Sequence, residues 1–328
     1  MMRDLMMKEL RAWLSPLATD DELNGRQNDL ELLVDAELNA EKGDYSGGLA
    51  LYLKFAKDEI LFLPVVRCAL LMAIGNREKE FFNLLREEVA KYPTWCTRQN
   101  AALGVSLLRT WLNLILHIKS VGPDWIVSLD FSKLPSAWQP IAAYLKVLSC
   151  LNTGDFYSGY VVAKILLEIK SFHGESFLLD LYLKRACAEV SRDLGRIDES
   201  RHWFEEMVQL AYGNGWIRPF LGLSLGSRSI PMKVLAENSP KLLSKVVKAS
   251  KEYLQSLVCF HNQVTAGNVT DELTPREFYV GMALKRGCTY KEIARNMEVS
   301  IGRVNILVRN LYQQLSIHSR TAIEPLVW

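Results

Sequence analysis

Asn305 and Arg309 stand four residues apart, with Arg303 and Ile306 beside them, in a stretch whose aliphatic residues recur at helical spacing. Val304, Val308, Leu311 and Leu315 fall on one stripe with Leu307 next to it, which predicts an anchored helix from about Ile301 to Leu315. Its other side then turns Arg303, Asn305, Ile306, Arg309, Asn310 and Gln313 outward. These residue types have a defined chemistry in a DNA major groove. Asn bonds the N6/N7 edge of adenine, Arg bonds O6/N7 of guanine, and an apolar side chain touches the thymine methyl. Lys291, Arg295 and Arg303 are spaced to meet phosphates, which set register and affinity but not sequence.

The elements that must hold this helix are legible just upstream. At Leu273-Thr274-Pro275-Arg276-Glu277 three signals of a helix start agree: Thr274 as N-cap, Pro275 at the first helical position, and Glu277 closing a capping box. Phe278, Met282 and Ala283 continue a buried face, and Gly287 ends the helix. Thr289-Tyr290-Lys291-Glu292 opens a second helix in the same way, with Ile293, Ala294 and Met297 apolar. A short turn at Glu298-Val299 leads to Ser300 as the next N-cap, and Ser319 is placed to cap a fourth helix reaching about Pro325. Two short helices, a tight turn and a longer helix make a helix-turn-helix.

The order and spacing of Leu273-Thr274-Pro275-Arg276-Glu277, Lys291-Glu292-Ile293-Ala294, Val299-Ser300, Val304, Asn310-Leu311, Leu315 and Ser319-Arg320 resemble the LuxR-type (GerE-like) DNA-binding domain. That resemblance covers nearly all of residues 272–328. It implies a bacterial transcription regulator that binds double-stranded DNA at paired half-sites. It also implies dimer contact through the fourth helix, around Ser319 to Leu326, and contact with RNA polymerase. The chain departs from the family at Arg303, Asn305 and Leu307, where Thr, Lys and His are usual, and at Gln314 in place of a Lys. Each lost phosphate contact lowers the salt slope by nearly one and weakens binding. Two readings are open: a regulator with altered operator preference, or a helical-repeat interaction scaffold whose degenerate terminal domain no longer reads DNA.

Residues 28 to about 212 read almost wholly as helix. A unit recurs at Gly43, Gly154 and Gly195, and more faintly at Gly75 and Gly122: a helix ends at the glycine, a turn comes next, and a small residue lies five positions on (Gly48, Gly159, Ser200). A glycine in the left-handed C-cap and a small residue permitting close approach describe a helical hairpin. Intervals of 32, 47, 32 and 41 residues between those glycines suit a tetratricopeptide-type (TPR-like) solenoid, with an irregular helical bundle as the alternative. Such arrays present an extended concave surface, here expected to take a protein or small-molecule ligand. The segment from Gly215 to Leu257 resembles the stretch on the C-terminal side of the repeats in MalT-like members of the family, although no nucleotide-binding domain precedes the repeats. The fold expected is therefore all-α: residues 1–262 a helical-repeat sensor or interaction domain, 263–271 a linker, and 272–328 a four-helix LuxR-type domain.

Composition narrows the alternatives. Net charge is +2, from 39 basic and 37 acidic residues, which excludes a basic carpet over the whole surface. From Asp271 to Trp328 there are eight basic and six acidic residues, so 8 − 6 = +2 and this segment carries the surplus. The cysteines (68, 96, 150, 187, 259 and 288) form no C-x-x-C pair and read as core thiols of a cytoplasmic protein. No run reaches the roughly 18 uncharged apolar residues of a membrane span. The histidines at 117, 173, 202, 261 and 318 are isolated in sequence, and no nucleophile elbow or P-loop occurs, so neither an enzyme nor a metal or cofactor site is expected.

Overall fold

The apolar three- and four-residue spacings close into helices throughout, and among the described residues every regular element is helical. The computed structural model describes residues 2–118, 122–169, 176–222, 229–265, 273–297 and 299–323.

Helices Gln27–Glu41, Phe62–Asn76, Lys79–Trp95, Ala101–Ile115 and Gln139–Thr153 pack one against the next. Phe62–Asn76 is apolar all round and buried accordingly. Phe156–Glu168, Phe177–Asp193, Ile197–Tyr212, Ile230–Asn238 and Pro240–Thr265 continue the stack in the same sequential manner. The turns at Gly43, Gly154 and Gly195 are left-handed as expected, with φ of 82°, 82° and 78°. The small residues do allow close approach: the Gly159 backbone lies against Cys150, and Ser200 Oγ donates to the Ala188 carbonyl at 2.7 Å. Gly48 faces Met72 of the following helix instead of the preceding one.

Two faint repeat glycines play other parts. Gly75 lies inside Phe62–Asn76, and the left-handed residue after that helix is Arg77 (φ 61°). A Cβ on Gly75 would stand 2.2 Å from the Tyr45 ring, so close packing and not a turn requires it. Gly122 precedes the short helix Asp124–Ser128.

The array closes on itself. Pro240–Thr265 returns to the early helices, packing the Phe260 ring tilted against Phe82 with centroids 4.5 Å apart, while the Arg77 guanidinium donates to Ser256 Oγ and Gln255 Oε1. The N-terminal helix Met2–Leu14 crosses to the middle of the chain. There Trp138 Nε1 donates to the Trp13 carbonyl at 2.7 Å, and Glu9 accepts from the backbone N–H groups of Phe177 and Leu178. A buried ion pair adds a further tie: Arg218 Nη1 meets Glu41 Oε1 at 2.8 Å, and Tyr182 Oη donates to the same carboxylate. These ties draw the two ends of the array together around a partly open cavity of about 710 Å³.

Pro240–Thr265 runs three residues into the expected linker, and 266–272 lie outside the described residues. The same holds for 223–228 of the glycine- and serine-rich stretch after Gly222. In the C-terminal domain the helices are Pro275–Lys285, Tyr290–Met297 and Ile301–Gln314. A single 3-10 turn, Arg320–Ile323, stands where a fourth helix was expected from Ser319, and 324–328 of that expectation lie outside the described residues. No described helix is long and apolar enough to cross a membrane.

Candidate nucleic-acid interface

Local capping builds the C-terminal domain. Thr274 Oγ1 accepts from the Glu277 N–H at 3.3 Å while Glu277 Oε2 accepts from the Thr274 N–H at 2.9 Å. Thr289 and Glu292 repeat this box, and Ser300 Oγ accepts from the Arg303 N–H at 3.2 Å. Each N-cap is worth about 0.5–2 kcal/mol, a large contribution for helices this short. Val304, Leu307, Val308 and Leu311 are all buried against Phe278, Leu284, Ile293 and Ala294.

Anchored by that stripe, the third helix leaves Arg303, Asn305, Ile306 and Arg309 exposed together, and Lys291 is exposed on the second helix. Ile306 is 40% accessible, notable for an aliphatic residue with no partner among the buried side chains. Two of the expected polar residues have partners within the chain. Asn310 is half-buried, its Nδ2 donating to Glu277 Oε1 at 3.4 Å, which ties the third helix to the first. Arg295 is exposed, but its guanidinium donates to the Asp193 carbonyl at 2.8 Å. Asp193 ends the helix Phe177–Asp193, where unsatisfied carbonyls and the helix dipole favour a cation. A phosphate that engaged the whole guanidinium would displace that bond, while its remaining N–H donors stay open to solvent.

Arg295 belongs to a wider seam with the repeat region. Tyr279 is packed at the seam, where burial pushes its phenol above the ordinary value despite the Arg192 guanidinium nearby. Phe156 packs against the core of the C-terminal domain, and the His261 ring lies 5.6 Å from that of Phe278. Arg286 reaches across to His117 Nδ1 and Asn152 Oδ1, each at 3.4 Å. Burial, and then the Arg286 charge, push the His117 imidazole down to about 3, so it is neutral and can accept from the guanidinium. Burial likewise lowers His261, which bonds the Leu116 carbonyl through Nδ1. These two histidines, 144 positions apart and isolated in sequence, meet at one seam.

One position tests how tightly the seam is fitted. Gly154 has φ +82°, and a Cβ there would stand 2.5 Å from the Arg286 carbonyl oxygen. Gly154→Ala therefore combines about 1–2 kcal/mol of left-handed strain with a backbone clash across the seam. A larger radius of gyration in small-angle scattering, with helicity retained, is the expected outcome. An unchanged scattering profile would mean the two domains adjust without parting.

Arg320 has a structural part that spacing alone does not disclose. Its Nε and Nη2 both donate to the Leu284 carbonyl, at 2.9 and 2.6 Å, satisfying the end of the first helix. Among the described residues no group of three or more His, Cys, Asp or Glu is arranged to hold a metal.

The three capped, core-packed helices make the C-terminal segment a helix-turn-helix, with an Arg/Asn face exposed on its third helix. Residues 271–324 match the family model described as bacterial regulatory proteins, luxR family. No curated protein and no solved structure matches the chain.

Proposed function

We propose that this chain is a transcription regulator that reads duplex DNA with the third helix of its C-terminal domain, Arg303, Asn305, Ile306 and Arg309 facing the major groove. The observation that carries this reading is the outward, unobstructed placement of those four side chains on a helix held firmly from behind. Lys291, with Arg295 once released from Asp193, would meet phosphates. The repeat region would sense a small molecule or protein partner, and the regulator would act in a bacterial cytoplasm as a homodimer touching RNA polymerase. The segment 263–271, whose first three residues end the helix Pro240–Thr265, would join the two domains.

The seam favours a second reading: a domain whose Arg295, Tyr279 and Phe278 all engage the repeats serves equally as the end piece of an interaction scaffold. Selection from a random duplex pool by the full chain, at about 50 and 150 mM salt, separates the two. A regulator enriches a consensus, and its affinity falls with salt at a slope of about −0.9 per phosphate contacted. Lys291→Ala should then flatten that slope by about one without changing the consensus. A pool that emerges unenriched at both salt concentrations sinks the regulator reading and leaves the scaffold.

A further inference from the structure

We infer that the 710 Å³ cavity is the binding site for a small organic acid, its apolar body held between the repeats and the C-terminal domain and its anionic head on Arg286. The volume lies in the range of small-molecule pockets, which run from about 300 to 1,000 Å³. Trp13, Trp111, Tyr144 and Leu148 contribute aromatic and aliphatic wall from the repeats. Phe278 and Met282, from the first helix of the C-terminal domain, complete it.

The charges along the wall point to the class of ligand. Five arginines line the cavity: Arg67, Arg185, Arg192, Arg218 and Arg286. Four of them are neutralised by an adjacent carboxylate, respectively Glu37, Glu189, Asp193 and Glu41. Among the described residues Arg286 has no such partner, only the neutral His117 and Asn152 at a long 3.4 Å, and its Nε is buried with no hydrogen-bond acceptor. A sheltered guanidinium with donors to spare is suited to a carboxylate or phosphate, which accepts two parallel N–H bonds. Glu9, the remaining acid on the wall, is bonded by two backbone N–H groups, and burial pushes its carboxyl up to about 7, so it repels an anion only weakly.

Because such a molecule touches both domains, it binds the docked arrangement better than a separated one and holds the seam that restrains Arg295. This regulatory consequence rests on the DNA-reading function proposed above; occupancy of the cavity does not.

The test uses the full chain without DNA and two fluorescent probes of similar shape. One is 8-anilinonaphthalene-1-sulfonate, an aromatic anion; the other is N-phenyl-1-naphthylamine, its uncharged counterpart. Both should bind once per chain. Arg286→Met should weaken the sulfonate at least about tenfold, the loss expected for charged hydrogen bonds, and leave the neutral probe within about twofold. Leu148→Trp, which fills the cavity, should weaken both. On the parent protein, octanoate and hexyl phosphate should displace the sulfonate probe while 1-octanol at equal concentration should not, and the stronger competitor identifies the head group. Equal binding of the sulfonate by the parent and by Arg286→Met, or displacement by octanol as readily as by octanoate, overturns the proposal. Because DNA is absent throughout, that failure is distinct from a failure to select duplexes.

Discussion

Glu41→Ala is expected to lower the stability of the full chain by about 3–5 kcal/mol, the cost of removing one partner of a buried ion pair. The Glu41 side chain is 5% accessible and that of Arg218 15%, so alanine leaves a guanidinium with little water to replace the lost carboxylate. Tyr182 loses its acceptor at the same time. The site also matters for topology. Glu41 ends the helix Gln27–Glu41, its carbonyl accepts from the Ile217 N–H at 2.9 Å, and its side chain reaches Arg218, so an early helix is pinned to a turn some 177 residues later. Contacts this distant in sequence close the array, and no local helical preference can compensate for them. Urea unfolding followed by helical circular dichroism measures the effect as a lower midpoint. The double change Glu41→Leu with Arg218→Met should recover most of the loss, since apolar residues of similar size often replace a buried pair at no cost. A Glu41→Ala midpoint equal to the parent's would mean that Arg218 is hydrated without its partner.

The contrast between that clamp and the C-terminal domain explains what sequence could disclose. Thr274 with Glu277, Thr289 with Glu292, and Ser300 with the Arg303 amide all act within three residues, so the helix starts were readable from short-range chemistry alone. The stripe through Val304, Val308 and Leu311 was readable for the same reason, because helical periodicity fixes which side chains share a face. Arg286 with His117, Arg295 with Asp193, and Arg218 with Glu41 join residues 102 to 177 positions apart, and no spacing rule connects them.

One signal of the seam was nevertheless present. In the first helix of the domain Phe278, Val280, Met282, Ala283 and Leu284 are all buried, more than one amphipathic face can supply. A short helix apolar on nearly every side has two packing partners, and here the second is the repeat region. Asn310 shows the opposite error. Its position suggested the outer face, but a buried carboxylate, Glu277, draws its amide inward. Repeat glycines mislead in a similar way, because a glycine kept for close packing, such as Gly75 against Tyr45, is indistinguishable in sequence from one kept for a turn.

The proposed base reading depends on two side chains whose removal should hardly disturb the fold. Asn305 and Arg309 are exposed, and among the described residues neither has a hydrogen-bond partner or ion pair. Arg309→Ala is expected to reduce affinity for the selected duplex by about 1–3 kcal/mol, roughly 5- to 150-fold, with the base preference relaxed at one position. Asn305→Ala should act by a similar amount at a neighbouring position, since side chains four apart on a helix lie one turn from each other. Affinity for unrelated duplexes should change much less, because the phosphate contacts proposed for Lys291 and Arg303 would supply it irrespective of sequence. Competition binding with the selected and a scrambled duplex, at one fixed salt concentration, measures the ratio directly. Loss of affinity for both duplexes in equal proportion would assign Arg309 to the backbone instead of the bases. If neither variant altered either affinity, the exposed Arg/Asn face would not be the reading surface, and the domain's role would shift to the seam it makes with the repeats.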